Sequence, residues 1–215
     1  MILRGRLRGQ MDAAGVNFLS GPVQPPGFLF PRMTDQSPTS PLVLTIGHST
    51  HSLEEFLRFL QAHGVETVVD VRTVPYSRHN PQFNREELAN NLVAAGIGYR
   101  HLPGLGGWRR PRPDSPHMGL RTPGFRGFAD YMETPEFAEH LENLMKLARR
   151  QPVALMCAEA VPWRCHRSLI ADALLARGVA VEHILGLSRR QPHTLTPGAR
   201  IAGSRLTYPR DEGHI

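Results

Sequence analysis

Both cysteines of this 215-residue chain fall within "LMCAEAVPWRCHRS", Leu155 to Ser168. Cys157 and Cys165 share the stretch with Glu159, His166 and two arginines, Arg164 and Arg167. Three chemistries suit such a set. A thiol beside cationic side chains or a helix N-terminus loses its proton near neutral pH and becomes a nucleophile, with a second thiol as its resolving partner. Cys157, Glu159, Cys165 and His166 could instead close around a metal ion. Against that, seven residues separate the cysteines, more than the two to four of a zinc knuckle. The third option is a disulfide, which in a reducing compartment is transient and redox-active.

The elements that must position these groups follow from the hydrophobic pattern. "LVLTI" (42–46), "VETVVDV" (65–71), "IGYRHL" (97–102), "PVALMC" (152–157) and "VAVEHIL" (179–185) read as strands. Between them lie helical stretches with start and stop signals. Ser52-x-x-Glu55 is a capping box opening a stripe of Leu53, Phe56, Leu57 and Leu60 that Gly64 stops. Asn84-x-x-Glu87 opens a second helix ended by Gly96, and a short helix is expected around 125–132. Thr134-Pro135 starts one running to about Arg149, and the last begins near Cys165 and ends before Gly178. Strands alternating with helices predict an α/β fold: a mostly parallel sheet of about five strands between helix layers, three layers deep, rhodanese-like or Rossmann-like.

In such a sheet the active crevice lies beyond the carboxyl ends of the strands. The first strand ends in His48, the second in Asp70 and Arg72, the third in His101 and the fourth in Cys157 and Glu159. A lone histidine in such a loop is commonly just a satisfied polar group, and Asp70 could simply pair with Arg72. The convergence of four strand ends, one carrying a cysteine, points to a site. Cys157 is the expected nucleophile, Cys165 its resolving partner, and His166 or His48 the proton carrier, with Glu159 beside them. Arg72 and Arg167 are the expected anchors of an anionic substrate.

Two basic loops leave the same edge. Residues 104–127 carry Arg109, Arg110, Arg112, Arg121 and Arg126 against Asp114 alone, with Trp108 available to stack on a base. Residues 72–83 add Arg78. A nucleic-acid-binding or repair-associated protein is therefore the alternative to an enzyme, and the metal site is a third reading. Net charge decides little between them. The formal charge is +6, with Arg4, Arg6, Arg8 and Arg32 against Asp12 giving +3 in residues 1–32 and the remaining 183 residues giving the other +3, so the longer part is only mildly basic.

Residues 1–41, rich in Pro, Gly and Ser, read as an N-terminal extension, with Met33 resembling an ordinary start; a targeting peptide is the rival reading. Residues 42–210 form the expected single domain, with 186 onward as a trailing arm and 211–215 as a tail. No apolar run approaches the roughly 20 residues of a membrane span. Few cysteines and no visible signal peptide make the cytoplasm the expected location. The sequence fixes no cofactor, substrate or oligomeric state.

"TIGHST", "VVDVRTVPYSR", "YRHLPGLGG", "FADYM", "ALMCAEAVPWRCHRSLIADAL" and "VEHIL" together resemble the family of domain of unknown function 488, over about 42–210. That likeness implies an α/β fold and names no reaction. A second likeness, to rhodanese-like sulfurtransferases, rests on "SLEEFLRFLQAHGVETVVDVR" and "VALMC…HRSLIADALLARGVAVEHILG". It implies that Asp70-x-Arg72 closes an early strand, that Cys157 carries a persulfide, and that Arg167-Ser168 opens the following helix. The chain departs from that pattern. Cys157 and Arg167 are further apart than in a compact rhodanese loop, and Ala158, Glu159 and Pro162 stand where glycine is usual.

Overall fold

The computed structural model describes residues 41–210, so the expectations for 1–40 and 211–215 lie outside the described residues. Element order is β1 (Leu42–Gly47), α1 (Leu53–Ala62), β2 (Thr67–Asp70), α2 (Arg85–Ala94), β3 (Gly98–His101), α3 (Pro123–Met132), α4 (Pro135–Ala148), β4 (Val153–Cys157), α5 (Arg167–Leu175), β5 (Ala180–Ile184), β6 (Arg190–Pro192), β7 (Arg200–Ala202) and β8 (Arg205–Thr207). The five expected strands are present and parallel, in the order β3-β2-β4-β1-β5. A sixth, β6, closes the edge antiparallel to β5.

Strand side chains alternate between two helix layers. Leu44, Ile46, Val68, Ala154 and Met156 pack on one face against Phe56, Phe59 and Leu60 of α1 and Leu88 and Leu92 of α2. Val43, Val69, Val153, Leu155 and Cys157 point to the other face, against α3, α4 and α5. The period of two thus decides that Cys157 faces the α5 layer. The α1 stripe differs by one position from its sequence pattern. Phe59 is buried, whereas Leu53 and Leu57 are only half-buried, packed at the margin of that core.

Capping chemistry sets the boundaries. Ser52 accepts from the Glu55 amide, and Thr122 and Thr134 accept from the Phe125 and Phe137 amides. Asn84 is the α2 N-cap by position, but its side chain leaves the helix and accepts from the Ser77 amide at 2.7 Å. The loop after β2 is thereby braced to α2. The last helix begins at Arg167, later than expected, because a 3-10 turn over Pro162–Arg164 occupies the preceding residues.

The trailing arm adds β6 and the β7–β8 hairpin, and Tyr208 behind the hairpin is buried. Its fastening point is Asp172 of α5. One carboxylate oxygen accepts from Tyr208 (2.9 Å); the other accepts from His193 (2.8 Å) and the Thr196 amide (3.0 Å). No described helix is long and apolar enough to cross a membrane.

Candidate active site at the strand ends

The chain passes from β1 to β2 on one side, returns to fill the gap with β4, then crosses to β5 on the other side of β1. The junction of β1 and β4 is therefore where the winding reverses, the place where open α/β sheets bind ligands. Gly47 ends β1 opposite Cys157. His48 follows, its amide donating to the Cys157 carbonyl at 2.9 Å. A side chain at 47 would collide with the Glu159 carbonyl, so glycine lets the segment after β4 fold across the tip of β1.

Cys157 Sγ and Cys165 Sγ lie 2.6 Å apart, both buried. Arg167, 1% exposed, holds the pair. Its Nη1 donates to Cys157 Sγ at 3.1 Å and to the Glu159 carbonyl, and its Nη2 donates to the Ala160 carbonyl at 2.8 Å. The loop thus turns carbonyls inward onto a guanidinium. Three of its amides are used within the loop: Arg164 and Cys165 donate to the Val161 and Pro162 carbonyls, and Val161 faces the Glu159 carboxylate. The N–H donor that reaches the Cys157 sulfur is a side-chain cation, Arg167.

The electrostatics follow. The Cys157 thiol is lowered, first by the hydrogen bond the Cys165 thiol donates to its thiolate, against burial, and then by the Arg167 charge. The Cys165 thiol is raised, because it keeps the shared proton and is buried. Cys157 is the thiolate and Cys165 the thiol. His166 Nδ1 stands 3.6 Å from Cys165 Sγ. Burial and the neighbouring Arg167 push His166 down to about 4, so its ring is neutral near pH 7.

On the other flank, Asp70 is fully buried and takes Arg72 through both carboxylate oxygens, at 2.6 Å for the closest pair. Tyr99 donates to Asp70 at 2.8 Å, and Arg72 also donates to the Phe83 carbonyl at 2.7 Å. Arg72 Nη1 reaches His48 Nε2 at 3.2 Å, which assigns the His48 proton to Nδ1, donating to the Ser49 carbonyl at 2.9 Å. Stacked on Phe83 at 4.3 Å, His48 is lowered to about 4, chiefly by burial.

A cavity of about 740 Å³ opens above these groups. Cys157, Cys165, His166, His48, Arg72, Glu159 and Trp108 all line it. Of the other expected residues, Asp70 lies behind Arg72, and Arg167 lies under the sulfurs. Ser168 is buried, with its hydroxyl on the Cys165 carbonyl at 2.9 Å. His101 holds the Arg72 carbonyl at 2.8 Å and borders a different depression, with Arg85 and Tyr99. Arg78 is exposed and outside the lining. Sequence reasoning did not single out Thr73, Tyr76, Asn80, Thr122 and Phe125, which complete the walls. Neutral side chains on loops and at a helix start carry no sequence pattern that marks them as cavity walls.

The basic loop is less free than its composition. Arg109 lies over the Tyr131 ring at 3.9 Å, and Arg112 pairs with Glu133 at 2.7 Å. Arg126 donates to the Leu120 and Arg121 carbonyls. Arg110 and Arg121 have no carboxylate partner among the described residues. The four-ligand metal site is not assembled: among the described residues no group of three or more His, Cys, Asp or Glu side chains is placed to hold a metal ion. The reason is visible locally. Glu159 turns toward the Val161 amide, and the Arg167 cation occupies the space beside Cys157.

A parallel α/β sheet with a thiol pair at its switch point defines the class of protein. Within that class, residues 52–174 match the family model "Domain of unknown function DUF488", and the chain belongs to that family. No curated protein and no solved structure matches the chain, and the likeness to rhodanese-like sulfurtransferases gains no support from these comparisons.

Proposed function

We propose that the protein is a cysteine-dependent enzyme acting on an anionic substrate, with Cys157 as nucleophile and Cys165 as resolving thiol. The observation that carries this is the 2.6 Å approach of the two sulfurs beneath the cavity, with Arg167 Nη1 at 3.1 Å from Cys157. Two buried thiols in direct contact are what a nucleophile and its resolving partner require.

In thiol–disulfide chemistry the steps balance as follows. The Cys157 thiolate attacks one sulfur of a substrate disulfide, forming a mixed disulfide and releasing the other half as a thiolate. Cys165 then attacks Cys157 Sγ, its proton passing to the departing thiolate. The second half leaves, and the Cys157–Cys165 disulfide remains. Two electrons have reached the substrate, and an external dithiol returns the enzyme to its starting state. Sulfur transfer through a Cys157 persulfide uses the same nucleophile.

The alternative of a nucleic-acid-binding or repair-associated protein draws on Trp108, Arg110 and Arg121, all exposed, whereas Arg109 lies over Tyr131 and Arg112 is paired with Glu133. It predicts binding that falls steeply with salt and survives Cys157→Ser. The deciding test is the pH dependence of alkylation at each cysteine, read by mass spectrometry on reduced, metal-free protein. A Cys157 midpoint well below the ~8.5 of a free thiol, with Cys165 reacting later, is expected. Two ordinary midpoints would remove the basis for the enzyme.

A further inference from the structure

We infer that the cavity over the thiols takes a nucleotide unit, its base held at the mouth between Trp108 and Tyr76 and its phosphate drawn by Arg164. This rests on the thiol site proposed above and names the class of ligand that occupies the space over it.

Three features of the mouth point this way. The first is exposure on rigid supports. Trp108 is 78% exposed and Tyr76 is 64% exposed, yet both border the same cavity. Neither sits on a loose loop. The Tyr76 loop is pinned by the Ser77 amide on Asn84 (2.7 Å), the Arg85 amide on the Pro75 carbonyl (3.0 Å) and the Asn80 amide on Ser77 (3.0 Å). The Trp108 loop is clamped by close packing at the two glycines before it. A Cβ on Gly106 would meet the Thr73 side chain, and one on Gly107 would reach 2.5 Å from the His166 ring. Fixed aromatic faces left open to water are what a planar ligand needs, because stacking then costs little ordering.

The second feature is charge. Arg164 borders the cavity, is exposed, and has no carboxylate or carbonyl partner for its guanidinium among the described residues, while Glu159 is the only acid in the lining. Arg72, by contrast, is already engaged by Asp70, Phe83 and His48 and is poorly placed to take a second anion. The third is the wall between mouth and floor. Ser49, Thr50, Ser77, Asn80 and Thr122 offer neutral hydroxyl and amide groups, suited to the hydrogen-bonding edges of a base and a sugar. The volume of about 740 Å³ lies within the ~300–1,000 Å³ range of small-ligand sites.

An aromatic rim, a free cation and neutral hydrogen-bonding walls together match an aromatic base, a phosphate and a ribose better than they match a simple oxyanion. The nucleotide could be free or the end of a single strand, and the experiment separates these. Binding of nucleoside 5′-monophosphates, of single-stranded hexanucleotides and of inorganic phosphate is measured calorimetrically on the full chain. Cys157→Ser protein is used to exclude covalent chemistry, and wild-type protein is assayed for protection of Cys157 from alkylation.

A monophosphate that binds, protects Cys157 and weakens about tenfold in Trp108→Ala and in Arg164→Ala supports the inference. So does a hexanucleotide behaving this way alone, which assigns the strand as source. Absence of binding by every nucleotide at millimolar concentration overturns it. Phosphate binding as tightly as any nucleotide, or nucleotide binding indifferent to both substitutions, overturns it as well. Because both substituted residues are at the surface, loss of fold is checked simply by an unchanged melting curve. The thiol proposal fails differently: Cys157 alkylates with an ordinary midpoint, whatever the nucleotides do.

Discussion

Arg167 Nη1 lies 3.1 Å from Cys157 Sγ, and the same guanidinium binds the carbonyls of Glu159 and Ala160. One buried cation therefore fixes both the charge state of the nucleophile and the path of the loop beside it. Replacing Arg167 by Met removes the cation and leaves two carbonyls without donors. Arg167→Lys keeps the charge but cannot span sulfur and carbonyls in the same plane. The Cys157 alkylation midpoint is expected to rise by about one unit or more in Arg167→Met and by less in Arg167→Lys. Both variants should lose stability in urea, by about 2–4 kcal/mol for Met. An unmoved midpoint in folded Arg167→Met protein would assign the low thiol pKa to Cys165 alone.

Cys165 makes its own contribution, because its thiol donates to the Cys157 thiolate. Cys165→Ala removes that donor while leaving Arg167 in place, so the Cys157 midpoint should move part of the way back toward that of a free thiol. Mild oxidation should give an intramolecular disulfide in the wild type, seen as a loss of two mass units and of both alkylation sites. In Cys165→Ala the same oxidant should leave a Cys157 sulfenic acid that dimedone traps. Dimedone labelling of the wild type equal to that of the variant would count against a resolving role.

Four histidines make stability depend on pH in one direction, His117 being one that burial also lowers. His48, His166 and His183 are each pushed down to about 4, burial being the largest cause in every case. Their unfolded values are near 6.5. Above that pH both states are neutral and nothing changes. Between about 6.5 and 4 the unfolded chain takes up protons that the folded one refuses, so stability falls as pH falls. The loss is at most about 1.4 kcal/mol per histidine per pH unit, and less where solvent reaches the ring. His183 adds a geometric reason. Its Nδ1 accepts from Thr45 at 2.7 Å, and its Nε2 donates to His193 Nδ1 at 3.0 Å. His193 in turn donates to Asp172 at 2.8 Å. A proton added to His183 Nδ1 turns that acceptor into a donor and puts a charge into the buried chain that anchors the C-terminal arm. Urea midpoints measured from pH 7 to 4.5 should fall steadily, and His183→Gln should flatten part of the slope.

The Asp70–Arg72 pair is buried and bidentate. Asp70→Asn leaves the Arg72 charge buried without its counter-ion and is expected to cost about 3–5 kcal/mol. Tyr99→Phe removes a single hydrogen bond to the same carboxylate and should cost about 1 kcal/mol. Denaturant titrations of the two variants give the comparison. Equal losses would mean that Arg72 finds another partner when Asp70 is neutralised.

The parts of this architecture that were legible in the sequence were those governed by periodicity and capping. The apolar run "VALMC" marked the strand that ends at Cys157, and Ser52 and Thr134 marked helix starts by hydrogen bonds that their short hydroxyl side chains supply. What stayed hidden depended on long-range partners. β6 is Arg190–Pro192, three exposed residues with no alternation, and it is a strand only because the β5 edge was open. Asp172 reads as an ordinary helix residue until His193, Thr196 and Tyr208 arrive from the arm. Asn84 has the sequence of a cap but serves the Tyr76 loop instead. The convergence of Cys157, Cys165, His48 and Arg72 was anticipated from the strand-end rule, whereas the inward-facing carbonyls around Arg167 left no mark on the sequence.

Gly47 gives the sharpest test of whether loop path and thiol chemistry are coupled. It pairs with Cys157 in the sheet, and a Cβ there would lie against the Glu159 carbonyl oxygen, 2.7 Å from the Glu159 carbonyl carbon and 2.9 Å from Ala160 Cα. Backbone cannot swing aside as a side chain can, so Gly47→Ala must lift the 158–160 segment. That segment carries the two carbonyls that hold Arg167. The substitution should cost about 1–3 kcal/mol from overpacking. It should also raise the Cys157 midpoint, although neither cysteine nor Arg167 has been changed. Gly64→Ala is the matched control. Its glycine has φ of +64° and open space around the missing Cβ, so the cost of about 1 kcal/mol or more comes from backbone strain far from the sulfurs. Alkylation and urea titrations on both variants separate the effects: both should be destabilised, and Gly47→Ala alone should move the thiol. A thiol unmoved in Gly47→Ala would show that Arg167 holds Cys157 without help from the loop.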